Sequence, residues 1–323
     1  MFGSDPNQSA SVRSRKIKNI FHSLCIISAL IFLMAVLGWL VAGDLGVKWT
    51  LFMSALLLIM SQRISPEFVL RMYRAKPLNS QYLYQALREL AARGNLDFVP
   101  GLYYIPSQML NALSLGSGPH SAIAVTDGLL RGLNHRELIA VLAHELSHIR
   151  NKDLWVLNLA DVFSRVTSSF SFAGMLLLFL NFPLLMQEKE VIPWALIIIL
   201  LFAPSLSALL QLSLSRSREF DADTDAAVLS GDPAGLASAL DKMERVQQGL
   251  LSRILFPGYR QRQPSVLRSH PQTQKRVQEL MSMQEKDLPW PALYASMSST
   301  GDIPSGLSPI RRNPGWKPGG LWY

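Results

Sequence analysis

Four long apolar runs interrupt a chain that is otherwise amphipathic. The first, Leu24 to Ala42, contains no charged residue. At 1.5 Å per residue it matches a hydrocarbon core about 30 Å thick. It is longer than the apolar part of a signal peptide, and no small-residue cleavage site follows it, so a retained membrane helix is expected. The second run, Leu45 to Ser61, is broken only by Lys48, with Trp49 beside it as an interface residue. The third, Val166 to Met186, has Asn181 and Pro183 near its end. The fourth, Val191 to Leu214, is uncharged, and Pro204 in its middle predicts a kink. The last two could pack as an apolar hairpin on a soluble domain. The fourth is long enough to cross alone, and crossing is the favoured reading.

Between the runs the pattern changes period. Leu83, Leu87, Leu90 and Ala91 recur at helical spacing and predict a helix over 79–95, ended by Gly94 and Asn95. Residues 101–127 read as β: Leu102 to Ile105, Met109 to Ser114 and Ser121 to Thr126, with a turn cluster at Gly116 to Pro119. A small meander of about three strands is expected. Asn134 is a helix N-cap with Glu137 as its reciprocal partner, ahead of an apolar stripe at Leu138, Ile139, Leu142, Leu146 and Ile149. Further helices are predicted over 217–229, 234–248 and 271–283, the last capped by Ser269. Residues 256–269 read as an arginine-rich loop. From Ser296 onward periodicity is lost, and disorder is expected there.

Composition agrees with a membrane protein. Of 323 residues, 49% are hydrophobic and only 17% charged, where soluble domains carry about 25% charged residues. The net charge of +8 raises nucleic acid as a partner, but the placement of the charges argues otherwise. Arg13, Arg15, Lys16 and Lys18 precede the first run; Arg63, Arg71, Arg74 and Lys76 follow the second; Arg216 and Arg218 follow the fourth. The intervening loops hold only Asp44 and Lys48, and Glu188, Lys189 and Glu190. This asymmetry puts both termini and the soluble segments in the cytoplasm, with a lipid bilayer as partner and no nucleic acid. The chain then divides into a basic N-terminus (1–20), membrane helices 1 and 2 (21–62), a first soluble part (63–165), membrane helices 3 and 4 (166–214), a second soluble part (215–285) and a disordered tail (286–323). One cysteine, Cys25, excludes an internal disulfide and an all-thiolate metal site.

The chemistry lies in His144-Glu-Leu-Ser-His148. Two histidines at i and i+4 share one helix face, so their ring nitrogens can converge on one zinc ion. Glu145 sits about 100° round the helix, where it can act as general base toward a metal-bound water without displacing it. Catalytic zinc needs a third protein ligand. Two downstream candidates stand out, His270 and Glu219. Glu219 and Asp223 again share a face at i and i+4, a spacing suited to a ligand plus a carboxylate that accepts the free N–H of a ligating histidine. Asn151 and Asp153 brace either the end of this helix or the metal site.

These segments resemble the HtpX family of integral-membrane zinc metalloproteases, relatives of the CAAX prenyl protease. The resemblance rests on His144-Glu-Leu-Ser-His-Ile-Arg-Asn-Lys-Asp153, on Ser215-Arg-x-Arg-Glu-Phe-x-Ala-Asp223, on Asn111-Ala-Leu113 and Ala124-Val-Thr-Asp-Gly-Leu129, and on Ser269-His-Pro271 with Arg276. It covers about residues 20–283. It implies a mainly α integral-membrane protein with four transmembrane helices and a zincin-type helical protease domain carrying the small β-meander. It implies one zinc ion on His144, His148 and Glu219, with Glu145 as base. It implies that the strand at Asn111 and Ala112 binds extended substrate by edge pairing, and that His270 donates to the developing oxyanion. The implied activity is cleavage of membrane or misfolded proteins at the cytoplasmic face, in a bacterial inner membrane. A prenyl-protein endopeptidase would need about seven spans rather than four. A catalytically idle scaffold is disfavoured because every catalytic residue type is present. Oligomeric state is not legible.

Overall fold

A computed structural model of the chain describes residues 6–62, 65–186, 192–255, 273–284, 291–296, 316–317 and 321–322. In chain order the helices are α1 (Pro6–Gln62), α2 (Pro66–Met72), α3 (Gln81–Arg93), α4 (Asp127–Gly132), α5 (His135–Asn151), α6 (Asp153–Met186), α7 (Trp194–Ser230), α8 (Pro233–Leu255), α9 (Thr273–Gln284) and α10 (Leu293–Ser296). The strands are β1 (Lys76–Pro77), β2 (Gly101–Ile105), β3 (Ala112–Leu115) and β4 (Ala122–Thr126), with a short pair, β5 (Trp316–Lys317) and β6 (Leu321–Trp322), near the C-terminus. Two compact units emerge: residues 9–64 with 155–217, and residues 65–154 with 218–323 plus the first eight residues.

The first unit is apolar and helical. Among the described residues, three helices are long and apolar enough to cross a membrane: Phe21–Met60, Asp153–Leu184 and Trp194–Ser230. The first of these is not straight. Ala42 and Gly43 leave helical geometry, and Gly43 takes φ +57°, a left-handed conformation that glycine adopts without a steric cost. A Cβ added to Gly46 would run into the carbonyl oxygen of Gly38. Residues eight apart in a straight helix lie about 12 Å apart along the axis, so the chain doubles back at Gly43, and glycines let its two limbs touch. Inside the unit, Ile26, Leu30, Met34, Leu159, Phe163 and Leu214 pack together. Polar groups point inward as well: Ser164 donates to Gln211 Oε1 at 2.8 Å, and the buried Asn181 side chain bonds both the N–H and the C=O of Ile192. Phe32, Phe172, Phe179, Phe182 and Phe202 face outward. That inversion suits a surface covered by lipid rather than water.

The second unit is built around α5, in which every residue from Glu137 to Ile149 is buried. Its apolar face packs with Leu83, Leu87 and Leu90 of α3, Ile123 and Val125 of β4, Ala226 of α7, Leu236 of α8 and Leu280 of α9. The expected capping box is formed. Asn134 Oδ1 accepts from the Glu137 N–H, and Glu137 Oε2 accepts from the Asn134 N–H, each at 2.9 Å.

The small sheet is present, but it is not a meander. Its order is β1-β2-β4-β3, with β2 parallel to β4 and the other pairs antiparallel. The reason is burial. All five residues of β4 are buried, so this strand takes a covered central position while β3, buried only at alternate residues, is left at the edge. The tail also departs from expectation. Leu293, beyond the predicted end of order, joins the core around α5. Arg93 donates to the carbonyls of Leu229 and Pro291, and Arg136 lies 5.2 Å from the centre of the Tyr294 ring. A four-residue helix is too short to register as periodicity.

Glu137 is more than a cap, because it also accepts from Ser238 Oγ at 2.6 Å and Lys242 Nζ at 2.8 Å. Burial pushes its carboxyl pKa up, but Lys242, Ser238 and the Asn134 N–H outweigh that and hold it below the usual carboxylate range. A carboxyl with a lowered folded pKa stabilises above its unfolded value, about 4.3, and loses that contribution as pH falls through the folded value. Glu137→Gln should therefore melt below wild type at neutral pH, by the equivalent of about 1–3 kcal/mol. The two melting curves should converge as the pH falls below about 4. Thermal denaturation across pH checks this, and a gap that widens in acid would contradict it.

Candidate metal centre

Two helices of the second unit supply the site. α5 contributes His144, Glu145 and His148, and α7 contributes Glu219 and Asp223. The i, i+4 spacing puts both histidines on one face of α5, and Glu219 and Asp223 on one face of α7. His144 Nε2 lies 3.2 Å from His148 Nε2 and 3.5 Å from Glu219 Oε2, and His148 Nε2 lies 3.8 Å from Glu219 Oε1. Two atoms each about 2.0–2.1 Å from one tetrahedral ion stand about 3.3–3.4 Å apart. Two imidazole nitrogens and the Glu219 carboxylate at these separations therefore fit around a single metal ion. Among the described residues, His144, His148 and Glu219 form the group able to hold one. Glu145 follows His144 on the buried helix and stands outside this trio.

The other ring nitrogens are engaged by carboxylates. His148 Nδ1 is hydrogen-bonded to Asp153 Oδ2 at 3.0 Å. Asp223 Oδ1 makes a close charge contact with His144 Nδ1 at 3.1 Å. Both carboxylates therefore leave Nε2 as the donor toward the ion. Burial disfavours charge on His144, but Asp223 and Glu219 beside it prevail and raise its pKa to about 10. Of the two roles the sequence left open for Asp153, bracing the helix end or the metal site, its contact with His148 is with the site. Lys152 takes φ +56° and ends α5, and that left-handed residue turns the chain so that Asp153 comes back under His148. Arg218 Nη1 in turn approaches Asp153 Oδ1 at 3.4 Å.

The remaining candidates fall in different places. Asn151 is not on a ligand: its Nδ2 donates to Asp225 Oδ2 at 2.9 Å, tying the end of α5 to α7. His270 lies outside the described residues. Asn111 is exposed and immediately precedes β3, and Ala112 is the buried first residue of that strand. Asn111 exchanges bonds with Thr126: its N–H donates to Thr126 Oγ1, and its C=O accepts the Thr126 N–H. In an antiparallel ladder the next residues alternate, so Ala112 and Ser114 turn their N–H and C=O away from β4, toward the open side of the edge strand.

Comparison with known proteins places this geometry. Residues 77–284 match the family described as Peptidase family M48, a stretch that contains both histidines, Glu145, Glu219 and Asp223. The chain belongs to peptidase family M48. Proteins named Protease HtpX homolog from Burkholderia multivorans and Burkholderia mallei are each 33% identical over 286 residues, covering 82% of this chain and 97% of theirs. The crystal structure of S. mikatae Ste24p aligns with a TM-score of 0.46 and 19% identity, over 83% of this chain and 66% of that one. The M48 assignment and the apolar helices together make this an integral-membrane metallopeptidase.

The contacts rank the carboxylates by how directly each belongs to the cluster: Glu219 is in it, and Asp153 and Asp223 touch its histidines. Glu219→Ala removes a ligand and should cost the most metal. Asp153→Ala and Asp223→Ala each remove a partner of a ligand and should weaken binding about 10- to 100-fold. Metal analysis and chelator competition on matched purified samples test the order. Full metal retention in Glu219→Ala would displace that residue from the ligand set.

Proposed function

We propose that this M48 peptidase is a zinc endopeptidase that cleaves misfolded or membrane-embedded proteins at the cytoplasmic face of a bacterial inner membrane. The observation that carries the reading is the convergence of His144 Nε2, His148 Nε2 and a Glu219 carboxylate oxygen, with Glu145 next to the first ligand. Two histidines and one glutamate are a donor set of catalytic zinc, one that leaves the fourth position open. When bound, the ion would polarise the substrate carbonyl and bring the pKa of a water molecule toward about 7.

The chain's own groups do the rest. Glu145 accepts the proton of the attacking water and passes it to the leaving amine. Asp153 and Asp223 hold the two imidazoles with Nε2 facing inward. The open edge of β3 offers the backbone groups of Ala112 and Ser114 to an extended substrate, with Asn111 at the entry, so that recognition runs through the main chain and tolerates varied sequences. The family resemblance carried by Ser269-His-Pro271 supports His270 as a donor to the developing oxyanion.

The cytoplasmic placement rests on the basic residues flanking the apolar runs. The turn at Gly43 supports two crossings within α1, and with α6 and α7 this makes four. The bacterial origin of the HtpX homologues supports the inner membrane as the location.

Glu145→Gln keeps all three ligands and removes the base. It should retain zinc and lose at least about 10²-fold in turnover of an unfolded test protein such as casein. Turnover near wild type would remove Glu145 from the base role.

Reporter fusions give the topology. Residues 44–48 and 187–191 should report outside the cytoplasm and both termini inside. A cytoplasmic signal from 187–191 would mean that α6 and the apolar part of α7 form a hairpin that does not cross, and would leave the peptidase reading intact.

A further inference from the structure

Arg276 stands on α9 and is 5% exposed. Its guanidinium reaches two carboxylates of α7 at once. Nε and Nη2 donate to the two oxygens of Asp223, each at 2.6 Å, and Nη1 lies 3.0 Å from Glu219 Oε2. A guanidinium buried this deeply is costly unless its donors are matched by acceptors. The match here is close, because three of its nitrogens face carboxylate oxygens.

Both partners already have work to do. Glu219 belongs to the metal cluster, and Asp223 Oδ1 contacts His144 Nδ1. One side chain therefore touches the cluster by two routes, directly through Glu219 and indirectly through Asp223 and His144. Without it, Glu219 and Asp223 would be like charges one helical turn apart, and would repel each other. Their side chains would also be free to leave the rotamers in which the cluster assembles.

Resting on the reading of His144, His148 and Glu219 as a metal site, we propose that Arg276 is a positioning residue that holds Glu219 and Asp223 together in the orientation the ion requires. α9 is then a condition of metal affinity and not only a packing element. The planar fork is essential to this role. Lysine keeps the charge but presents it at a single point, and cannot hold two oxygens of one carboxylate and one of another in fixed directions.

The test uses full-length protein with Arg276→Lys and Arg276→Gln. Zinc affinity is read by chelator competition, and the melting temperature of the zinc-stripped protein is read beside it. Both variants should bind zinc about 10- to 100-fold more weakly than wild type, with lysine failing to restore the affinity even where it restores the melting temperature. A purely structural tie between α7 and α9 predicts the opposite split: melting temperature falls and zinc affinity stays within about twofold of wild type. That result in either variant overturns the proposal, so a glutamine variant that does not fold leaves the decision to the lysine variant. Wild-type protein that takes up no zinc would instead overturn the zinc reading, and this inference with it, and the wild-type sample alone reveals that outcome.

Discussion

The helix that carries the chemistry is buried along its whole central length, so each charge on or against it must be answered by another protein group. His144, Glu145 and His148 lie on α5 among apolar residues. The two imidazoles meet Asp223, Asp153 and Glu219. Those carboxylates meet Arg276 and Arg218. An unpaired charge in such surroundings costs several kcal/mol. The spacing of Glu219 and Asp223 on α7, the left-handed Lys152 and the docking of α9 are all consequences of that demand.

The two units answer to different solvents. In the peptidase unit the apolar residues are inside, and its exposed residues are mostly polar. In the helical unit Phe32, Phe172, Phe179, Phe182 and Phe202 face out, while Asn181, Ser164 and Gln211 bond within. A polar group facing hydrocarbon has no water to satisfy it, so it must find a partner in the protein. The glycines at positions 38 and 46 do for the α1 hairpin what apolar side chains do for a soluble pair: they bring the helices together, here by removing bulk.

Much of this was legible in the residues, and the limits were physical. The apolar runs, the capping box at Asn134 and Glu137, and the paired histidines each follow from local spacing on one element. Spacing could not choose between Glu219 and His270 as third ligand, because that choice depends on how distant elements meet. The family resemblance pointed to Glu219, and the fold brings that residue beside both histidines. Strand order was not legible either. The turn cluster correctly joins β3 to β4 as an antiparallel pair, but only the burial of β4 on both faces accounts for β2 lying beside β4 rather than beside β3. Asp153 and Arg276 stand out in the sequence as a brace and as part of a motif, but the partners of each were not legible, for a related reason. A charged residue after a helix or on an amphipathic one usually faces water, and only tertiary contact turns it toward a ligand.

The charges around the histidines suggest why the site suits a divalent ion. Glu145, Glu219, Asp223 and Asp153 bring four negative charges into one buried region, and Arg276 and Arg218 return two positive ones. The carboxylates outnumber the guanidinium groups, a deficit of positive charge that favours a bound cation. With protein groups alone, part of that deficit falls to His144, whose pKa is raised to about 10 by the Asp223 and Glu219 carboxylates against the opposing effect of burial. A second proton, on the His144 Nε2 that faces the cluster, and an ion at that same nitrogen exclude each other, since a ligand nitrogen must present its lone pair. The carboxylates that attract the ion therefore also attract the proton it must displace. A bound ion would be held by His144, His148 and Glu219 together, whereas a proton satisfies one nitrogen. The cluster is in this sense selected for charge by its buried carboxylates and for geometry by the three atoms that converge.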